Sequence, residues 1–187
     1  NSASTGALGS AYPIPMERRR RRGIARAEAA GYDIIAATAP DRFWPIMEAN
    51  LRERYNATPV HTLNEMTMLM TRFPNNIRCF LAITNGVAEA GAIVYITRQT
   101  VHVQYAHASA KGKDEGALDF LYDYLIRLYK TEGYRYFDIG TSNEKGGQIL
   151  NLGLAAQKEG FGGRAVAYKQ WVVDINKQHN QHGNTLP

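Results

Sequence analysis

Two apolar runs of this 187-residue chain are joined by Asn85-Gly86 alone: IRCFLAIT (77–84) and VAEAGAIVYIT (87–97). Asn-Gly between two such runs is the strongest short-range signal for a β-hairpin, because a tight turn there needs positive φ at both central residues. A third alternating run, TVHVQYAHAS (100–109), follows after Arg98-Gln99. The sequence therefore predicts an antiparallel meander of three strands.

A helix with a leucine face follows the meander. The segment ALDFLYDYLIRLYKTEG (117–133) places Leu118, Leu121, Leu125 and Leu128 on one side, and the strand YRYFDIGTS (134–142) comes next. A helix that connects two strands of one sheet makes those strands parallel, so 134–142 is predicted to run parallel to 100–109.

The remaining segments complete an α+β pattern. Predicted helices cover 16–30, 42–55, 63–73 and 148–159, and predicted strands cover 31–38 and 164–175. We therefore expect a mixed, mostly antiparallel central sheet flanked by helices, with one parallel strand pair.

Length and composition indicate one domain. A chain of 187 residues with 44% apolar residues fits a single core, which we place at 16–176. Residues 1–15 are expected to be a disordered or linking stretch, and residues 177–187 a polar tail. No apolar run approaches about 18 residues, and the start has no signal-peptide pattern, so we expect a cytoplasmic protein without membrane insertion.

The net charge of +5 comes largely from the run Arg18 to Arg22. Such a run is found in nucleic-acid contacts and also on solvated helix faces. Because no aromatic stacking residues are interleaved with the arginines, we predict an exposed helix face that does not bind nucleic acid tightly. The lone Cys79 lies in an apolar run and is predicted to be a buried thiol.

A glycine-bearing segment, AKGKDEG (110–116), precedes the leucine-faced helix. Glycines in a loop before a helix N-terminus let the backbone approach a phosphate, and the helix dipole favours the anion. Lys111 and Lys113 add positive charge, whereas the acids at 114 and 115 oppose it. A second glycine cluster, KEGFGG (158–163), predicts a helix end at Gly160 and leaves open whether Gly162 and Gly163 serve a tight turn or a ligand.

Several motifs together resemble the GNAT superfamily of acetyltransferases, in particular its FemABX-type branch. They are FW (43–44), PVHTLNEMTML (59–69), RFPNNIRCFLA (72–82), VQYAHAS (103–109), FDIGTSNEKGG (137–147) and NLGLAAQKEGFGGR (151–164). The resemblance implies that the strands of Tyr105 and Phe137 splay apart to admit the pantetheine of acetyl-CoA or another acyl-CoA. It also implies that the segment after Ser109 holds the pyrophosphate. The implied cofactor-binding residues are Ser109, Lys111, Gly112, Lys113, Gly116, Ala117 and Ser142.

Acyl transfer from a thioester to an amine needs a proton acceptor and polarisation of the carbonyl, without a covalent enzyme intermediate. Strict alternation places Tyr105 and His107 on one face of their strand and His102 and Gln104 on the other, and the sequence leaves open which face meets the cleft. Our candidate catalytic residues are Tyr105, His107, Asn143 after the parallel strand, and Tyr168, which the resemblance suggests as a general acid. No metal site is expected.

Two departures keep alternatives open. SAKGKDEGA breaks the usual GNAT phosphate-loop pattern, and FemABX-type proteins commonly carry two such domains, of which this chain has room for one. We expect an N-acyltransferase that moves an acyl group, in first place acetyl, from acyl-CoA to a small-molecule or peptide amine. The alternatives are a transferase that uses aminoacyl-tRNA in cell-wall peptide synthesis and an inactive GNAT-fold binding domain.

Overall fold

A computed structural model describes residues 15–167 together with 169, 171 and 173. The helices are α1 (Arg18–Ala29), α2 (Trp44–Tyr55), α3 (Leu63–Arg72), α4 (Ala110–Glu115), α5 (Ala117–Thr131) and α6 (Leu152–Glu159). The strands are β1 (Asp33–Ala37), β2 (Ile77–Thr84), β3 (Val87–Ile96), β4 (Thr100–Ala108), β5 (Tyr136–Asp138), β6 (Asn143–Glu144) and β7 (Ile149–Leu150). A 3₁₀ turn, Lys145–Gly147, joins the last two strands.

Five strands form the central sheet in the order β1-β2-β3-β4-β5, and β6 and β7 form a separate small hairpin. The pairs β1–β2, β2–β3 and β3–β4 are antiparallel, whereas the pair β4–β5 is parallel. Asn85 and Gly86 both take positive φ, 50° and 75°, in the turn between β2 and β3. The predicted meander, the hairpin and the parallel pair are therefore confirmed.

Each face of the sheet is covered by two helices. On one side, α1 and α5 bury a core that includes Phe80, Val94, Leu121, Leu125 and Tyr129. On the other side, α2 and α3 bury a second core that includes Phe43, Met47, Met66, Leu81 and Ile93. Cys79 belongs to the second core and is fully buried, as predicted, and burial raises the pKa of its thiol to about 12.

The arginine run is not uniformly exposed, which corrects our prediction. Arg18, Arg19, Arg21 and Arg22 are exposed, but Arg20 is buried and its Nη1 lies 2.6 Å from Asp119 Oδ1 on α5. A contiguous run on a helix points in all directions, so the residue on the α5 side is necessarily turned inward.

The glycine-bearing segment at 110–116 is a helix, not the predicted loop. The Ser109 hydroxyl caps α4 by accepting the N–H of Gly112 at 2.9 Å. Gly116 ends α4 with φ 81° and starts α5, and a Cβ there would lie 2.2 Å from the carbonyl oxygen of Gly23 on α1. The glycine at 116 is therefore required by backbone conformation and by the close packing of α1.

The KEGFGG segment also differs from its predicted geometry. Gly160 keeps a right-handed conformation with φ −60°, and the left-handed residue is Gly162 with φ 87°. The strand predicted at 164–175 is absent over 164–167, and most of its remainder, with the tail, lies outside the described residues. Most of the expected linker at 1–15 lies outside them as well. None of the helices in the described part of the chain has the length and apolar character needed to cross a bilayer.

Candidate active site

A cleft opens where β4 and β5 part. Their parallel ladder has only three rungs, and the last joins His102 to Asp138. β4 continues to Ala108, and over that stretch its edge away from β3 has no strand partner among the described residues. The space beside this edge is a cavity of about 410 Å³, bounded on its far side by Ile139–Thr141 and α6. This parting agrees with the expectation for the strands of Tyr105 and Phe137.

A β-bulge at Gln104 determines which side chains of β4 share a face. Ile93 pairs with Tyr105 and Val94 pairs with Val103, so Gln104 is an extra residue in the ladder. An inserted residue shifts the alternation by one. His102, opposite Tyr95, therefore lies on the same face as Tyr105 and His107, toward the core of α2 and α3. Strict alternation placed His102 on the other face, and that prediction is wrong.

His102 and Asp138 form a hydrogen-bonded pair at the closed end of the cleft. The distance from His102 Nδ1 to Asp138 Oδ2 is 2.7 Å. The other carboxylate oxygen, Oδ1, accepts the backbone N–H of Gly140 at 2.8 Å. The hydrogen bond from His102 is the main cause that lowers the pKa of Asp138 below its ordinary value, so the carboxylate is ionised at neutral pH.

Tyr105 and His107 are both in the cavity wall but have different surroundings. The Tyr105 hydroxyl lies 2.8 Å from His61 Nδ1, and its ring meets Trp44 edge-on. The His107 ring stacks on Phe43 with centroids 6.3 Å apart. Burial, with the nearby Lys113 and Arg54 as smaller causes, lowers the pKa of His107 to about 4, so this imidazole is neutral at pH 7.

Lys158 at the end of α6 closes the far wall. Its Nζ donates to the carbonyl oxygen of Gly140 at 2.9 Å and also bonds closely to the carbonyl oxygen of Thr141. Burial lowers the pKa of Lys158 to about 8, against the opposing attraction of Asp138. The amine thus ties α6 to the segment that follows β5.

The cleft wall is basic. Arg54, Lys113 and Lys158 contribute cationic groups, and no Asp or Glu side chain lines the cavity in the described part of the chain. Asn50 adds a fixed amide, because its Nδ2 donates to Ala108 O at 2.9 Å. Apolar surface comes from Leu118, Tyr122, Leu154 and Phe161. A pocket of this kind suits a ligand with an extended middle and an anionic end.

The predicted cofactor-binding residues are spread over several environments. Lys113 lines the cavity, whereas Gly112, Gly116 and Ala117 are buried in packing between helices and strands. Ser109 donates its hydroxyl to the buried carboxylate of Glu89, and Lys111 Nζ lies 3.8 Å from the same carboxylate. Ser142 is half-buried beside β6, and Asn143 is exposed in β6. Tyr168 lies outside the described residues.

The sequence analysis did not name three residues that line the cavity, Asn50, Arg54 and Lys158, or Asp138, which is hydrogen-bonded to His102 in the cavity wall. Asp138 lies opposite His102 through the register of the parallel ladder, which the local sequence does not show. Arg54 and Asn50 lie on α2, far along the chain from β4, and no local pattern reveals that contact. The described residues hold no group of three or more His, Cys, Asp or Glu side chains suited to a metal ion.

The fold is an α+β sheet with one parallel strand pair that parts beside a cleft, and comparison with protein families shows which family has this chain as a member. The model of the family described as "Acetyltransferase (GNAT) domain" matches residues 16–146. Since this match covers more than half of the 187 residues, the chain belongs to the GNAT acetyltransferase family. No protein with a curated description matches the sequence significantly.

Solved structures share the fold at low sequence identity. FemX superposes with a TM-score of 0.67 at 12% identity over 80% of this chain, and the chain spans 54% of the length of FemX. A possible acetyltransferase from Clostridium difficile 630 superposes with a TM-score of 0.60 at 11% identity. The match covers 77% of this chain and 97% of the acetyltransferase. An aminoglycoside acetyltransferase from an uncultured soil metagenomic sample, solved with sisomicin, superposes with a TM-score of 0.54 at 14% identity. The match covers 76% of this chain and 97% of that enzyme.

Proposed function

We propose that the protein is an N-acyltransferase that uses an acyl-CoA, in first place acetyl-CoA, as donor and an amine as acceptor. The observation that carries this proposal is the parting of β4 and β5 after His102 and Asp138 in a member of the GNAT family. An open strand edge beside a cavity is an uncommon feature, because sheet interiors normally pair every backbone group.

The donor is matched to this cleft by its chemistry. The pantetheine arm carries two amides, which can pair with the free edge of β4 as an added strand would. The phosphates of CoA require positive charge, which Lys113 and Arg54 supply beside the outer part of β4. This arrangement directs the thioester toward the closed end of the cleft. The predicted contacts of Ser109, Lys111, Gly112, Gly116, Ala117 and Ser142 with the donor stay predictions.

Direct transfer fits the groups present. The acceptor nitrogen forms a bond to the thioester carbonyl carbon, the carbon–sulfur bond breaks, and the amine proton leaves to a base while the thiolate gains a proton. Tyr105 and His107 lie in the wall and remain candidates to position the acceptor, with Asn143 and Tyr168 as predicted contributors. The acceptor class is a small-molecule or peptide amine.

A second candidate donor is aminoacyl-tRNA, which FemABX-type relatives use. Two observations favour testing it: α1 exposes Arg18, Arg19, Arg21 and Arg22, and the chain spans 54% of FemX. Exposed arginines bind nucleic acid mainly through phosphates, and such binding weakens steeply with salt.

Titration calorimetry with acetyl-CoA, pantetheine and tRNA separates these candidates. We expect acetyl-CoA to bind and pantetheine, which lacks the nucleotide phosphates, to bind at least tenfold more weakly. An assay of thiol release with sisomicin and with an alanine-initiated peptide then tests amine acceptors. Binding of tRNA without binding of acetyl-CoA would replace the proposal with its alternative, and binding of neither would support a non-catalytic domain.

A further inference from the structure

We propose that His102 and Asp138 act as a proton-accepting pair, in which His102 Nε2 takes the proton of the acceptor amine and Asp138 holds the imidazole. This inference rests on the proposed acyl transfer in the cleft and assigns the acid–base work within it.

The position of the pair is fixed by the backbone. His102 and Asp138 occupy the last rung of the parallel ladder, so they lie where the two strands begin to part. His102 lines the cavity, and its Cε1 lies 3.8 Å from the site of a Cβ on Gly140, in the opposite wall. A donor that enters along the open part of β4 therefore places its reactive end next to this imidazole.

The orientation of the imidazole is also fixed. Asp138 receives a hydrogen bond on each carboxylate oxygen, from His102 Nδ1 and from the N–H of Gly140. A carboxylate acceptor at Nδ1 selects the tautomer that carries its proton there, which leaves the lone pair on Nε2. Nε2 has no hydrogen-bond partner among the described residues. The same logic, a base oriented by a third group, operates in established nucleophile–base arrangements.

The two other titratable groups of the β4 wall are less suited to this task. His107 is stacked on Phe43 and lies near Lys113 and Arg54, both of which oppose a second positive charge. The Tyr105 hydroxyl already has a partner in His61. His102 on β4 faces Asp138, which is on β5. Lys158 on α6 lies beyond Gly140 and donates hydrogen bonds to carbonyl oxygens. A carboxylate beside the base stabilises the imidazolium that forms.

The step balances without a further reactant. The amine nitrogen attacks the thioester carbonyl carbon while its proton moves to Nε2. The carbon–sulfur bond then breaks, and the imidazolium returns that proton to the sulfur to give free CoA thiol. Asp138 remains a carboxylate throughout, and His102 is regenerated.

The test uses the full chain with acetyl-CoA, and it measures both binding by calorimetry and release of free thiol. Thiol release is followed with the best amine of the proposed panel and with water alone as acceptor. We expect His102→Gln to lower the turnover rate at least 100-fold and Asp138→Asn at least tenfold, both with acetyl-CoA affinity within threefold of the parent. Lys130→Gln, which changes an exposed residue of α5 outside the cavity wall, is the control and should stay within threefold.

A structural role alone would not give chemical rescue. In His102→Ala, added imidazole should restore thiol release in proportion to its concentration, with no such effect in the parent. The acid–base role of the pair would be overturned if His102→Gln kept a turnover rate within threefold of the parent. It would also be overturned if the parent bound acetyl-CoA but released no thiol. Failure of the parent to bind acetyl-CoA would instead overturn the proposed function.

Discussion

Arg20 and Asp119 form a buried ion pair that joins α1 to α5, with Nη1 and Oδ1 2.6 Å apart. The Arg20 guanidinium also lies over the ring of Phe161, 5.7 Å from its centroid, and Phe161 lines the cleft. The basic N-terminal helix is therefore part of the domain core and supports one wall of the candidate active site.

Removing the arginine should be strongly destabilising. Arg20→Ala leaves the Asp119 carboxylate buried without its partner, and we expect the free energy of unfolding to fall by about 3 kcal/mol. The control Arg21→Ala, in the same run but exposed, should change it by less than about 0.5 kcal/mol. Urea unfolding of the three proteins measures both values. Equal small effects of the two substitutions would show that the ion pair does not hold α1.

Gly112 and Gly153 are both helical glycines with opposite surroundings. A Cβ on Gly112 would lie 2.3 Å from the backbone oxygen of Glu89, whereas a Cβ on Gly153 would have its nearest neighbour at 3.5 Å. We expect Gly112→Ala to destabilise the protein by about 2 kcal/mol, because backbone must move. Gly153→Ala should stabilise it by about 0.5 kcal/mol through helix propensity. Thermal unfolding of both variants checks the signs, and a neutral Gly112→Ala would reopen the interpretation of this glycine as a ligand contact.

His107 should make stability depend on acid pH. Its pKa of about 4 in the fold lies below the ordinary value of 6.5, so the unfolded chain binds the proton more readily. Stability from this group is fully present above about pH 6.5 and is lost as the pH falls toward 4. Over this pH window, the free energy of unfolding of the parent should fall by roughly 2 kcal/mol more than that of His107→Gln. This value is smaller than the full pKa shift would give, because the ring is only half-buried.

Urea unfolding at several pH values between 4 and 7 checks this prediction. Because burial is the main cause of the shift, the effect should persist in 0.5 M salt, which screens Lys113 and Arg54. A difference between parent and variant that is constant with pH, or that disappears in salt, contradicts the assignment.

Local signals predicted much of the fold. The turn at Asn85-Gly86 and the leucine face of α5, with Leu121 and Leu125 buried, depend on neighbouring residues, and both are present. The segment 110–116 was misread because its glycines serve contacts with Glu89 and Gly23, which are distant in sequence.

The candidate site was harder to predict for the same reason. The bulge at Gln104 changes the face of His102, and a bulge leaves no local mark in an alternating run. The pairing of His102 with Asp138 requires the register of the parallel ladder, which the crossover helix alone does not determine. Arg54 reaches the cleft through the packing of α2 against β4.

Calorimetric titration of acetyl-CoA tests most directly whether the basic cleft beside β4 binds acyl-CoA. Lys113→Glu reverses a charge in the cavity wall, and Lys130→Glu makes the same change on an exposed part of α5 outside it. We predict sub-millimolar binding to the parent, at least tenfold weaker binding to Lys113→Glu, and unchanged binding to Lys130→Glu. No binding to the parent, or equal affinity of the parent and Lys113→Glu, would contradict the account.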